Sequence, residues 1–234
     1  MKYLATVIGV TLLCQTANAQ SFNIDINIRF GGYEAGAGAP SATFGGAANS
    51  PGFWNAISAG GGPFVHSLNG LNGERVDATL QYNQSGALAG SGWNGNDGDH
   101  RLLMNDGTVV TIPQTFNFAG LQPGRYEIFT YLADRSGRDV PGDVTILGAD
   151  VETKVSGVGG MPGNEFIEGR THAAHDVTLT TSSLAIQVRT NPPGPPSSTL
   201  AGFQIVRMPV PEPSGALLLA SALTVLLVFS RRKP

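Results

Sequence analysis

Phe22-Asn23-Ile24-Asp25-Ile26-Asn27-Ile28 switches between apolar and polar at every step. Such alternation predicts a strand with one face on a core and the other in water. Arg75-Val76-Asp77-Ala78-Thr79-Leu80-Gln81-Tyr82 alternates in the same way. Further strands are expected over residues 108–112, 115–118, 125–132, 143–147, 175–180, 184–188 and 201–206. These segments are short, rich in Val, Ile, Thr and aromatics, and bounded by Gly, Pro, Asn and Asp. No 11-residue window holds a 3.6-residue apolar stripe, so almost no helix is expected. The Gly/Ala-rich stretch 31–62 reads as a polar connection wandering over the surface. Nine or ten strands in one domain predict an all-β fold, an antiparallel β-sandwich.

The two ends depart from this pattern. Residues 1–19 carry Lys2, an apolar run from Tyr3 to Cys14, and Ala17-Asn18-Ala19. That is the form of a signal peptide cut after Ala19, leaving Gln20 first; it implies the Sec translocon and signal peptidase as partners. Cys14 follows the bulky Leu13, which argues against a lipoprotein cleavage box. At the other end, residues 209–234 hold Pro211-Glu212-Pro213 (motif 210–213), an apolar segment over 214–230, and Arg231, Arg232 and Lys233 in the basic tail 231–234. The uninterrupted apolar run from Gly215 to Phe229 spans roughly 22 Å as a helix, against a hydrocarbon core of roughly 30 Å. It is expected to be a short single transmembrane helix with a cytoplasmic basic stop.

That order of parts resembles the PEP-CTERM sorting signal of Gram-negative bacteria. The resemblance covers about a tenth of the chain. It implies a substrate of an exosortase, a membrane-embedded transpeptidase-like enzyme that cleaves near the motif. The protein would be anchored in the inner membrane before sorting and afterwards lie at the cell surface or in extracellular matrix. An ordinary C-terminal membrane anchor is the alternative.

Charge and composition change once the ends are set aside. Without Lys2, Arg231, Arg232 and Lys233, ten basic residues face seventeen acidic ones (Glu212 included), a net charge of −7. An acidic body argues against nucleic acid and anionic membrane surfaces as partners. Cys14 is the only cysteine, so the body, residues 20–208, has no disulfide, thiol nucleophile or thiolate metal site.

Two local motifs sharpen the fold. Phe118-Ala119-Gly120-Leu121-Gln122-Pro123-Gly124-Arg125-Tyr126 predicts a type II turn centred on Pro123-Gly124 between two strands. Leu200-Ala201-Gly202-Phe203-Gln204-Ile205-Val206 predicts the closing strand, after the proline-rich connection 191–198. With Phe53-Trp54-Asn55, these elements resemble a jelly-roll module of PEP-CTERM surface proteins, itself similar to galactose-binding-like and carbohydrate-binding jelly rolls. The resemblance implies a jelly-roll sandwich over about residues 22–208 and leaves the ligand open.

Candidate chemistry is sparse. Sugar binding needs an aromatic face beside planar hydrogen-bonding groups, and Trp93 with Asn94 and Trp54 with Asn55 offer that pairing. Core capping is the alternative for Trp54. Asn96, Asp97 and Asp99 supply hard oxygen ligands on a Gly-rich loop, a candidate structural Ca²⁺ site, although the EF-hand spacing is not met. His172 and His175 form an H-x-x-H, but on a strand a three-residue offset sends the rings to opposite faces, away from a shared zinc. They read as turn or strand histidines near a surface, and Asp134–Asp139 (DRSGRD) as a solvated hairpin tip. No G-x-S-x-G elbow or phosphate loop occurs, and nothing selects one carboxylate pair for glycoside hydrolysis. The expected function is therefore a non-catalytic body that binds extracellular polysaccharide. A structural surface protein without glycan preference and a small polysaccharide-active enzyme are the alternatives.

Overall fold

The alternating segments all become strands. The computed structural model describes residues 20–27, 38–58, 63–83, 88–89, 97–105, 107–134, 138–160, 162–191 and 197–209. The signal-peptide expectation (residues 1–19) and all of the sorting-signal expectation (209–234) except Pro209 fall outside these. No helix among the described residues is long and apolar enough to cross a membrane.

One sheet contains β1 (Phe22–Asn27), β2 (Trp54–Ser58), β5 (Leu88–Ala89), β6 (Gly107–Val110), β8 (Gly124–Ala133), β11 (His172–Leu179) and β13 (Ser198–Arg207). Its main order is β11-β8-β13-β1-β2, with β6 on β13 and β5 on β6. The other contains β3 (Pro63–Asn69), β4 (Arg75–Asn83), β7 (Gln114–Ala119), β9 (Gly142–Leu147), β10 (Lys154–Ser156) and β12 (Ser183–Thr190), ordered β10-β9-β12-β7-β4-β3. Between the sheets lies one apolar core that includes Phe22, Ile24, Ile26, Phe116, Phe118, Ile128 and Phe203. Each such side chain contributes about 1.5–3 kcal/mol by leaving water. The fold is a β-sandwich.

Five expectations need correction. Thirteen strands form among the described residues where nine or ten were expected, because β2, β3, β5 and β10 lie outside the segments read as strands. β1 and β2 run parallel, with Ile24 opposite Asn55; the long connection before β2 supplies the crossover that parallel pairing requires. That connection is also not all surface, because it ends in a strand whose Trp54 and Ile57 are buried. A short helix, α1 (Gly98–Met104), stands where none was expected; it buries only Leu103 and Met104, too short a run for a periodic stripe. Gly124 has φ +152°, away from the roughly +80° of a type II turn, whereas Gly120 has +76°. A β-carbon at Gly120 would run into the main chain of Asp77, so the glycine is required there. Tyr126 completes the turn by donating its hydroxyl to the Gln122 carbonyl at 2.7 Å.

The larger surprise is the polar face of β1. Asn23 and Asp25 are both wholly buried, so this strand has protein on both sides. A second layer, made of residues 38–50, α1 and the turn around Phe166, covers the outer face of the first sheet. It forms a second core with Trp54, Leu103, Met104, Phe129, Tyr131 and Ala201. Gln204 pins it. Its Nε2 donates to Asn23 Oδ1 at 2.8 Å and to the Gly45 carbonyl at 2.9 Å. Its Oε1 accepts from the Ala48 amide at 3.1 Å and from the Tyr131 hydroxyl, which in turn accepts from the Ala47 amide at 2.7 Å.

Gln204→Leu keeps the bulk but leaves several buried polar groups without partners. It is expected to lower stability by about 3 kcal/mol, read as a shift of the urea midpoint at unchanged m-value. A loss below about 1 kcal/mol would show that the second layer does not depend on this side chain.

Candidate functional site

The second layer brings together rings that lie far apart in the chain. Phe44, His100 and Phe166 are each half-buried on its outer side. The His100 and Phe166 rings stack at 4.6 Å with 23° between planes, and Phe44 meets His100 edge-on at 4.9 Å. Phe44 and Phe166 connect inward to Trp54 and Tyr131, with ring centres 5.8 and 5.4 Å apart. Polar groups border the rings. Both Asp99 carboxylate oxygens are engaged by Ser41, one by its amide at 2.9 Å and one by its hydroxyl at 2.6 Å. Asn164 Oδ1 accepts from the Asp97 amide at 2.9 Å. Burial holds the His100 imidazole below its ordinary value, with Asp99 opposing, so near neutral pH the ring is uncharged. The patch is an aromatic platform with a polar rim.

Placement of the sequence candidates follows from this layer. Trp93, Asn94 and Asn96 lie outside the described residues, immediately before the Asp97–His100 segment that enters the patch. Trp54 is only 3% exposed and donates its indole N–H to the Phe44 carbonyl at 3.1 Å, so its ring serves the core instead of a ligand. Asn55 is buried too. Its amide donates to the carbonyls of Asn23 and Asn69 and its oxygen accepts the Asn69 amide, which ties the edge of one sheet to the edge of the other. Asp97 and Asp99 open α1, and no group of three or more His, Cys, Asp or Glu gathers for a metal among the described residues. Phe44 and Phe166 were missed. The one signal for them is a lone large ring inside a glycine-rich loop.

His172 and His175 do face opposite sides of β11. His172 lies among Phe129, Tyr131 and Phe166 on the outer side, whereas His175 falls in the inward row with Ala173 and Val177. Neither is a surface residue, at 6% and 1% exposure, because the second layer covers one ring and the loop 151–154 lies against the other. Asp134 is likewise buried and accepts from Arg138 Nε at 2.6 Å, so the tip residue is anchored instead of solvated.

Of the other clefts among the described residues, two gather several carboxylates. One, of about 530 Å³, is lined by Gln20, Glu74, Arg75, Asp77, Gly120 and Gln122 among others. The other, of about 400 Å³ at the seam of β10 and β11, gathers Glu127, Glu152, Glu168 and Asp176 around Lys154 and His175. Lys154 donates to Glu168 at 2.7 Å, and this bond holds the Glu168 carboxyl below its ordinary range. A glycosidase acid needs the opposite shift.

No family model matches the chain, and no curated protein does. Among solved structures, it is similar to the CBM36-1 domain of a multidomain xylanase from the hindgut metagenome of Trinervitermes trinervoides. That match has 13% identity and TM-score 0.33, covering 57% of this chain and all of that one. The CBM35 from Cellvibrio japonicus Abf62 gives 15% identity and TM-score 0.31, over 56% of this chain and 93% of that one. A carbohydrate binding module from Cellvibrio mixtus lichenase 5A, solved with cellotriose, gives 17% and 0.26, over 44% and 80%. The assignment as a sandwich rests on the strand ladders above.

The buried histidines carry a pH dependence. Burial is the first cause holding His172 and His175 below the ordinary 6.5 of imidazole. At His175 Lys154 adds to it, while the Glu152 main chain and the carboxylates of Glu168 and Glu152 oppose it. The unfolded chain therefore takes up a proton before the folded one does, and stability present above about pH 6.5 is lost as pH falls below it. The urea midpoint should drop between about pH 7.5 and about pH 5. His175→Gln should flatten that slope; an unchanged slope would remove His175 as a contributor.

Proposed function

We propose that this chain is an exported surface protein whose jelly-roll body binds extracellular polysaccharide without catalysis, through the outer aromatic patch. The observation that carries the reading is the gathering of Phe44, His100 and Phe166 into one partly exposed cluster rimmed by Ser41, Asp99 and Asn164. Ring faces shelter the C–H surface of a pyranose, while amide, hydroxyl and carboxylate groups at the rim pair with its hydroxyls. The neutral His100 adds a ring face without a charge to desolvate. Trp93 and Asn94 stay candidate ligand contacts on their residue types alone. The chain ends support the location: the A-x-A site at 17–19 fits export, and Pro211-Glu212-Pro213, the apolar run and Arg231, Arg232, Lys233 fit exosortase sorting from the inner membrane.

Saturable binding on a glycan array is expected, and His100→Ala and Phe166→Ala should each weaken it by roughly tenfold, about 1.4 kcal/mol. A blank array would sink the binding reading and leave a structural surface protein. For sorting, the C-terminus of protein recovered from its host is read by mass spectrometry. Cleavage or an added group near residues 211–214 is expected, and a tail intact to Pro234 would leave a plain membrane anchor.

A further inference from the structure

Gln20, the residue expected to become first when the signal peptide is removed, is already part of the fold. It is only 6% exposed. Its Nε2 donates to the Gly120 carbonyl at 3.0 Å, and its Oε1 accepts the Gln122 amide at 2.6 Å. Ser21 beside it accepts the Arg207 amide at 3.0 Å, and the Arg207 guanidinium reaches back to Gln122 and to the Pro123 carbonyl. The first two residues of the body thus staple its start to the β7–β8 turn and to the end of the last strand. Glu74 and Asp77 line the 530 Å³ cleft together with Gln20, Gly120 and Gln122.

Hydrolysis of the Ala19–Gln20 bond creates an α-ammonium on Gln20. We propose that this cleft is the docking site of the chain's own new N-terminus. Gly120 and Gln122 hold the carboxamide, and the carboxylates of Glu74 and Asp77 attract the ammonium against the opposing Arg75 guanidinium of the same cleft and Arg207 at Gln122. The proposal rests on the reading that residues 1–19 are removed. Its chemical consequence concerns cyclisation, the ordinary fate of an N-terminal glutamine. In that reaction the neutral α-amine attacks Cδ, the Nα–Cδ bond forms, the Cδ–Nε2 bond breaks, and ammonia leaves with a proton from the α-nitrogen. Docking opposes each requirement. The carboxamide has to abandon two hydrogen bonds to fold back on its own backbone, and neighbouring carboxylates lower the share of neutral amine that can attack. The mature terminus therefore cyclises more slowly in the folded chain than in the unfolded one.

The test uses the chain from Gln20 to Pro234, released at Gln20 by a site-specific protease and kept in detergent. It is incubated folded and in guanidinium chloride, and the N-terminal peptide is weighed for the loss of one ammonia. Cyclisation in the folded chain should be slower by roughly tenfold or more, the factor that one or two net hydrogen bonds supply. Equal rates overturn the docking. The double variant Glu74→Gln, Asp77→Asn separates the ammonium contact from the carboxamide contact. It should lower the melting temperature of the chain beginning at Gln20 more than that of the uncut chain beginning at Met1; an equal change in both overturns the ammonium contact. Protein from the host that starts elsewhere than Gln20 would refute the leader reading, and the comparison on the released chain would stand apart from that failure.

Discussion

A carboxamide has two donor hydrogens and two acceptor lone pairs, and Gln204 uses all four inside the protein. Everything on the outer side of the first sheet depends on that saturation. β1 presents Asn23 and Asp25 outward, and such a face is stable in water or under a layer that meets its hydrogen bonds, and costly under anything else. Gln204 supplies the joint: it ties Asn23 to the carbonyl of Gly45 and to the amide of Ala48, while Tyr131 holds Ala47. Gly46 sits at φ +58° directly over this joint, where a β-carbon would collide with Gln204 and Tyr131. The closing strand reads Gly202-Phe203-Gln204-Ile205 for matching reasons. Gly202 lets Ile24 and Leu103 approach, Gln204 serves the outer layer, and Phe203 and Ile205 enter the inner core.

With the layer in place, the aromatic patch follows. The rings of Trp54 and Tyr131 are interior, and Phe44 and Phe166 extend that stack to the surface, where His100 meets them. A sandwich alone would offer a sheet face; this one carries a platform built on loops and anchored to rigid strands, an arrangement suited to holding a ligand in a fixed pose. The body has no cysteine to staple it, and polar side chains do the closing instead. Asn55 joins the edges of β2 and β3 by imitating a strand's main chain, and Ser21 with Gln20 fastens the start of the chain.

The inner core was legible from residue order because its rule is local. A strand's side chains alternate, so Phe22, Ile24 and Ile26, or Phe116 and Phe118, announce both their strand and its buried side. The same rule placed His172 and His175 on opposite faces. It also misread both as near the surface, since alternation identifies a face and is silent on what lies over it. β2 escaped notice inside a glycine-rich stretch, β3 escaped it just after that stretch, β5 and β10 are only two and three residues long, and α1 is too short to show a period.

What the sequence by itself determined is therefore nine of the thirteen described strands, the sandwich class and the inward row of each strong strand, all consequences of a two-residue repeat. The tertiary structure alone decided that the polar face of β1 is interior, that Trp54 and Asn55 are scaffold, and that Phe44, His100 and Phe166 share a surface. Those outcomes depend on contacts between residues dozens of positions apart, with Asn23 and Gln204 separated by 181. No local repeat encodes such a meeting: a polar side chain looks the same in the chain whether water or a buried carboxamide becomes its partner.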